Sequence, residues 1–197
     1  MLAELNTRLE SDSRDFGYYQ SSNLQGVMME RLDPEYVSLL HCQGINPYSQ
    51  YLYYDDGYRW MVHTMTEEAY EKIIPPLMSP DFSGFEIKKR HMNVRITEKA
   101  VKTLPKRALM DEFYASGKEP FLSFEFLTST AFKQNGSYVN YPDLRLLFQS
   151  LMNKYSAGSD MEMFDRETLE QLTAHASIAR YQLRSAVFPL EGVKIPA

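Results

Sequence analysis

The side chains best suited to acid–base chemistry lie in the segment LLHCQGINPYS, residues 39–49. His41 stands at the last apolar turn of a predicted helix, and the helix breakers Gly44 and Pro47 follow it. Histidine titrates near neutral pH, so it can give or take a proton under physiological conditions. The partial negative charge of a helix C-terminus favours the protonated imidazole. His41 is therefore a candidate general acid, and the alternative is a structural histidine beside an apolar stripe.

A basic segment at residues 88–107 could hold a polyanion such as a phosphate backbone. Although the whole chain carries a net charge of −5, local patches decide whether phosphates are attracted. The alternative is a solvated surface, which charge runs usually form. The segment has one acid, Glu98, and eight cations: Lys88, Lys89, Arg90, Arg95, Lys99, Lys102, Lys106 and Arg107.

Length and composition predict a soluble, cytoplasmic protein of one large domain or two small ones, with 197 residues and 44% hydrophobic residues. Cys42 is the single cysteine, so no intrachain disulfide can form. The four histidines show no structural zinc spacing, and we expect no metal and no cofactor. No apolar run has the length of a membrane span, and the N-terminus lacks the apolar core of a signal peptide.

The first half of the chain has the element order of a ferredoxin-like unit, namely strand, helices, hairpin, helix, strand. Residues 3–9 alternate as a strand, and Ser22 with Gln25 reads as a capping box that opens the first helix. Asp33 followed by Pro34 predicts the start of a second helix that ends around His41.

A hairpin and a helix complete this unit. Asp56-Gly57 between two aromatic runs is a strong hairpin signal. The segment 66–77 is predicted as a helix stopped by Pro75 and Pro76, and residues 85–96 as one strand. We therefore predict an N-terminal ferredoxin-like domain at residues 1–104 that carries the candidate catalytic histidine.

Residues 105–197 are predicted to form a second, partial ferredoxin-like domain. Alternation predicts strands at 121–128 and 178–188, and helical periodicity predicts helices at 144–155 and 165–176. These elements make only half of a second unit and leave a sheet edge with unpaired backbone groups. A missing C-terminal segment, a second chain or a covering loop would each satisfy that edge.

Two stretches of the sequence resemble a known protein family. NLQGVMMERLDPEYVSLLHCQGINPYSQYLYY, residues 23–54, and FLSFEFLTSTAFKQNGSYVNYPDLRLLFQSL, residues 121–151, are similar to the CRISPR-associated endoribonucleases that cut precursor RNA within its repeats. This resemblance implies an α+β fold of tandem ferredoxin-like (RRM-like) units, here incomplete at the C-terminus. It also implies CRISPR repeat RNA as the partner.

The same resemblance implies metal-independent cleavage by the ribose 2′-hydroxyl, giving 2′,3′-cyclic phosphate and 5′-hydroxyl ends. His41 would transfer the proton, while Tyr48 and Ser49 orient the phosphate. The expected RNA-binding residues are Lys88, Lys89, Arg90 and Arg95 in the first domain and Lys133, Arg180 and Arg184 in the second.

Departures from the family pattern leave two alternatives. Met29 and Asn46 occupy the positions of a tyrosine and a lysine in members with a fuller active site, and the family's glycine-rich loop is not seen. The chain could therefore be a non-catalytic repeat-RNA-binding protein. It could also be a structural subunit of a CRISPR effector complex, docked to other subunits or a second chain through the open sheet edge.

Overall fold

The computed structural model describes residues 1–115, 121–128, 130–139, 141–158, 165–184, 187–190 and 193–196. The chain groups into two compact units, Met1–Thr128 and Ser129–Ala197. Residue 104, where we predicted the domain boundary, is the last residue of the first unit's sheet. The boundary itself stays a prediction. No helix among the described residues is long and apolar enough to cross a membrane.

The first unit is a five-stranded antiparallel sheet with helices packed on it. The sheet order is β2-β3-β1-β5-β4. Without the edge strand β4, this is the ferredoxin-like arrangement, in which the two crossovers carry the helices. The elements are β1 (Leu2–Ser11), α1 (Ser21–Arg31), α2 (Pro34–Cys42), β2 (Tyr48–Tyr54), β3 (Tyr58–Thr64), α3 (Glu67–Met78), β4 (Gly84–Ile87), β5 (Met92–Leu104) and α4 (Lys106–Ala115).

The core of this unit lies between the sheet and α1, α2 and α3. Alternate residues of β1 are buried, as the period of two requires, and they include Leu5 and Leu9. They pack in one cluster with Leu24 of α1, Trp60 of β3 and Ile73 of α3. The indole nitrogen of Trp60 donates a hydrogen bond to Gln50 Oε1 at 3.0 Å. The predicted strand at 3–9 and the hairpin at Asp56-Gly57 are confirmed.

Two details of the predicted helix ends are wrong. α1 begins at Ser21 after a short 3₁₀ turn, so Ser22 lies inside the first turn and forms no capping box. The hydroxyl of Ser21 donates to Tyr18 O and accepts from Leu52 N. α3 does not stop at Pro75 but continues through Pro76 to Met78. The buried side chains of its last turns, among them Leu77, hold it on the sheet, and the prolines disturb only these turns.

The predicted single strand at 85–96 is also wrong. β4 and β5 form an antiparallel pair that is closed by the pair Ile87 and Met92. Between them lie the 3₁₀ turn Lys88–Arg90 and His91, which has a left-handed backbone with φ of 49°. Since Ile87 and Met92 are both buried, the polar residues between them are forced out of the sheet. The start of the basic segment, Lys88–Arg90, therefore forms an exposed hairpin tip, while its later cations lie in β5 and α4.

The described residues of the second unit form two short hairpins and two helices. The hairpins are β6 (Phe132–Gln134) with β7 (Ser137–Val139), and β8 (Val187–Leu190) with β9 (Val193–Pro196). The predicted helices are confirmed as α5 (Leu144–Ala157), capped by Asp143, and α6 (Arg166–His175), capped by Asp165.

The strand predictions around this unit are less accurate. The predicted strand at 178–188 is wrong for residues 178–184, which have no regular secondary structure. Residues 121–128, at the end of the first unit, form no strand either. Residues 121–127 are exposed, and the sheets formed by the described residues do not include this segment. Helix α4, which sequence periodicity missed, precedes them.

Candidate functional site

His41 is an exposed imidazole on a short helix that is capped at its N-terminus and buried along its inner face. Asp33 caps the N-terminus of α2, its Oδ1 accepting from the backbone nitrogens of Glu35 at 3.0 Å and Tyr36 at 3.1 Å. Tyr36 and Leu40 bury the inner face of the helix. His41 lies in the last turn and forms no hydrogen bond or ion pair with any described residue. Its ring is therefore presented to solvent and available to a ligand.

The other two predicted catalytic residues differ in accessibility. Tyr48 is buried in β2, and its phenol oxygen accepts a hydrogen bond from Gln25 Nε2 at 3.1 Å. Burial raises the pKa of Tyr48, and the bond from Gln25 partly offsets that rise. Ser49, the next residue, is exposed and lies opposite His63 in the β2–β3 register. Of Tyr48 and Ser49, Ser49 is therefore the one accessible to a ligand.

The positions that depart from the family pattern are both close to α2 in sequence. Met29, on α1, packs against the hydrophobic core. The side-chain oxygen of Asn46 is buried and accepts no hydrogen bond from a described residue. Neither side chain carries a charge or a proton that it could donate as a tyrosine or lysine would.

Four of the eight cations of the basic segment form ion pairs, three of them with acids that are distant in sequence. Lys88 donates to Glu30 at 2.8 Å, and this hydrogen bond raises the pKa of Lys88. Nothing in the run 88–107 signals these pairings. Three further ion pairs of the segment are Arg95 with Glu10, Lys102 with Glu4 at 3.7 Å, and Arg107 with Asp111 at 4.0 Å.

Lys99 belongs to a separate cluster that cross-links the first unit. Its Nζ donates to Ser79 O at 2.8 Å and lies 5.1 Å from the ring centre of Phe82, and burial lowers its pKa. The guanidinium of Arg31 lies over the same ring, also at 5.1 Å. Hydrogen bonds from Ser79 and then Arg31 lower the pKa of Asp81 from 3.8 to about 2. Lys99 is therefore a structural cation.

Two cations at the β4–β5 tip remain unengaged. The side chains of Lys89 and Arg90 are exposed and form no ion pair with any described residue. His91, beside them, lies 3.5 Å from Glu86 through Nδ1. Unengaged cations can neutralise phosphates without first breaking an internal pair. Lys89 and Arg90 are therefore accessible to an anionic ligand.

The predicted cations of the second unit occupy two places. Lys133 lies in β6, with its Nζ 5.9 Å from the ring centre of Tyr138. Arg180 and Arg184 lie in the irregular segment 176–184, where both are exposed and form no ion pair with a described residue. The ring of Tyr181, between them, packs edge-on against Tyr141 at 5.5 Å. These cations are accessible to an anionic ligand within their own unit.

The remaining histidines of the first unit are engaged by carboxylates, unlike His41. His63 Nε2 lies 3.3 Å from Glu4 Oε2, and its ring stacks on Tyr51 with 5.8 Å between centres. His175 lies in the last turn of α6 and is exposed, in a setting similar to that of His41. Within the described ranges, no three His, Cys, Asp or Glu side chains come together as a metal site would require.

Comparison with known proteins identifies the family. Residues 124–191 match the family model of the CRISPR-associated endoribonuclease Cas6. A Cas6 endoribonuclease of Streptococcus thermophilus is 32% identical over 178 residues, which cover 87% of this chain and 70% of that protein. The chain belongs to the Cas6 family. The Cas6 of Mycobacterium tuberculosis H37Rv is 34% identical over 176 residues, and the match covers 88% of this chain but 56% of that protein.

Solved Cas6 structures match the whole chain. Two Cas6 product complexes superimpose with TM-scores of 0.76 and 0.73 at 18% and 19% identity, covering 100% of this chain and 80% and 82% of theirs. Together with the sheet order of the first unit, this likeness confirms the predicted α+β class and the tandem ferredoxin-like fold of Cas6. The predicted resemblance to CRISPR repeat-cleaving endoribonucleases is confirmed by the family match.

Proposed function

We propose that this chain is an endoribonuclease that binds CRISPR precursor RNA and cleaves it within the repeats. Membership in the Cas6 family supports the reaction class, and two similar structures are described as product complexes. The observation that carries the proposal is the exposed, unengaged imidazole of His41 at the end of a helix whose inner face is buried.

In the proposed reaction the ribose 2′-oxygen attacks the adjacent phosphorus and the bond from phosphorus to the 5′ oxygen breaks. The proton of the 2′-hydroxyl passes to water, and His41 gives its proton to the departing 5′ oxygen. The products carry a 2′,3′-cyclic phosphate and a 5′-hydroxyl. This step requires no metal ion as cofactor. Proton transfer by a positioned group contributes roughly 10²- to 10⁴-fold in rate.

The proposal assigns different tasks to the other predicted residues. Ser49 would donate a hydrogen bond to the phosphate from the exposed side of β2, while Tyr48 would anchor that strand to α1 through Gln25. Lys89 and Arg90 would bind phosphates first, because they form no ion pair with an acid in the described part of the chain. The paired cations Lys88 and Arg95 would contribute less, and the cations of the second unit, Lys133, Arg180 and Arg184, would contact a further part of the RNA.

The test is cleavage of labelled repeat RNA by His41→Ala in excess EDTA. We expect cleavage to fall by about 10²-fold or more while RNA affinity stays within a factor of about two. His175→Ala is the matched control, since it removes an exposed histidine from the last turn of another helix. Unchanged cleavage in His41→Ala, or loss of wild-type cleavage on chelation, would reject the mechanism.

A second candidate is a protein that binds repeat RNA without cutting it. Met29 and Asn46 favour it, since neither side chain can assist a proton transfer at positions where fuller family sites do so. The same assay decides between the two: binding by the wild type without any product supports the non-catalytic function.

A further inference from the structure

Three aromatic rings lie together on the face of the five-stranded sheet that points away from α1, α2 and α3. Side chains alternate between the two faces of a strand, so Tyr51 and Tyr53 of β2 lie on the face opposite the buried Leu52. The ring of Tyr51 lies 5.7 Å from that of Tyr53. It also stacks on the ring of His63 from β3, with 5.8 Å between centres and 16° between planes. We name Tyr51, Tyr53 and His63 the ring cluster.

The ring cluster is accessible to a ligand. Tyr51 and Tyr53 are half-buried, and the side chain of His63 is 31% exposed. The phenol oxygens of the two tyrosines form no hydrogen bond with a described residue. Burial, and then Tyr53 and the carboxylate of Glu4, raise the pKa of Tyr51, so its phenol stays neutral. The tyrosines therefore offer ring faces and hydroxyl groups to a ligand and carry no charge.

The acids that β1 and β5 place on the same face are all paired with cations. Glu4 lies 3.3 Å from His63 and 3.7 Å from Lys102. The other ion pairs of these strands are Glu98 with Arg59 at 3.8 Å and Glu10 with Arg95. Since each carboxylate has a cation beside it, the face does not repel a polyanion. It does not attract one strongly either, so affinity at this face must come from the rings.

This chemistry favours nucleic-acid bases over a protein surface. Met61, which lies opposite Tyr51 on β3, is only 5% exposed, so this part of the face presents no apolar patch of the kind that forms the centre of a protein interface. Aromatic side chains stack on any base, because every base has a π face. Unpaired bases also carry hydrogen-bonding groups on their edges, which the hydroxyls of the tyrosines can meet.

β2 presents its accessible groups in a row at the rim of the sheet. Ser49, Tyr51 and Tyr53 are alternate residues of this edge strand, so their side chains repeat at about 6.6 Å along it. Ser49 is the residue proposed above to donate a hydrogen bond to a phosphate. A strand of RNA that runs along β2 would therefore place a phosphate at Ser49 and nearby bases on the two tyrosine rings.

We propose that the ring cluster stacks unpaired bases, so that the RNA bound along β2 is single-stranded. This inference rests on the proposed RNA-binding function and names the form of RNA that the face accepts. A base-paired segment cannot meet the rings in this way, because its bases are stacked on one another inside the helix. The inference does not depend on which residue transfers the proton.

The test compares the affinities for a short oligoadenylate and for an abasic oligomer of the same length, which keeps the ribose and the phosphates but has no base to stack. For Tyr51→Ala or Tyr53→Ala we expect the affinity for oligoadenylate to fall roughly 5- to 150-fold, the usual range for one base–aromatic stack. The affinity for the abasic oligomer should not change. Tyr53→Phe keeps the ring and should bind both oligomers like the wild type. The salt dependence of binding should be unaltered in all three variants, because a neutral ring releases no counterions.

Tyr54→Ala is the matched control, because Tyr54 belongs to the same strand, is 70% exposed and lies on the other face of the sheet. It should bind both oligomers like the wild type. Alanine variants of the ring cluster that keep their affinity for oligoadenylate, or that lose affinity for both oligomers alike, would overturn the stacking site. So would a wild type that binds repeat RNA but does not prefer oligoadenylate to the abasic oligomer. A wild type that binds neither oligomer nor repeat RNA would overturn the RNA-binding function itself.

Discussion

Replacing Asp33 by alanine tests whether the N-terminal cap of α2 positions His41. Asp33 accepts two backbone hydrogen bonds at the start of a nine-residue helix whose buried side chains are Tyr36 and Leu40. Loss of such a cap costs about 0.5–2 kcal/mol, and two good bonds place Asp33 near the middle of that range or above. For a chain of this size, each kcal/mol lowers the melting temperature by about 2–4 °C.

The consequence for cleavage is larger than the consequence for folding. The protein stays folded at 25 °C, but His41 is carried by the helix that loses its cap, and a displacement of about 1 Å at a reacting group can cost 10²-fold in rate. Urea unfolding followed by the fluorescence of Trp60, the single and fully buried tryptophan, measures stability. The rate of single-turnover cleavage measures how well His41 is positioned.

Asp33→Ser, which retains an acceptor oxygen at the cap, is the control. It should lose little stability and little cleavage rate. An alanine variant with unchanged stability would refute the account of α2. An alanine variant that loses RNA affinity as strongly as it loses cleavage rate would also refute this account, because α2 would then serve RNA binding and not proton transfer.

Three further results are expected. Lys89→Ala with Arg90→Ala should reduce the salt dependence of RNA binding by about 1.4 in log–log slope, since each lost phosphate contact of a single strand accounts for about 0.7; an unchanged slope would show that the tip is only a solvated surface. Tyr48→Phe should cost about 1 kcal/mol of stability, measured by urea unfolding, and leave the cleavage rate unaltered. The carboxyl of Asp81, with its pKa lowered to about 2, stabilises the fold above pH 3.8, and this contribution is lost as the pH falls through about 2. The difference in melting temperature between wild type and Asp81→Asn should therefore shrink from pH 4 to pH 2, and a constant difference would contradict the assignment.

Local signals in the sequence predicted those elements whose cause is local. Asp33-Pro34 gave the start of α2, and the backbone of Asp56-Gly57 adopts the positive φ values, 46° and 128°, that this dipeptide favours. The same type of signal, Asn135-Gly136, marks the β6–β7 hairpin, whose flanking strands of three residues are too short for alternation to reveal.

Features that depend on distant partners could not be predicted from one sequence. The alternation at 121–128 is typical of a strand, but a strand forms only where another lies beside it. The ion pairs of Lys88 with Glu30 and Arg95 with Glu10 join residues separated by 58 and 85 positions, and they leave the basic segment with far fewer free cations than its composition indicates.

The general-acid role of His41 is tested most directly by changing the leaving group of the RNA. A 5′-bridging sulfur at the scissile phosphate departs as a thiolate and needs no proton, so it removes the task assigned to His41. We expect His41→Ala to cleave the ordinary substrate about 10²- to 10⁴-fold more slowly than wild type, and the sulfur-bridged substrate at nearly the wild-type rate. An equal loss on both substrates, or no loss on either, would contradict proton donation by His41.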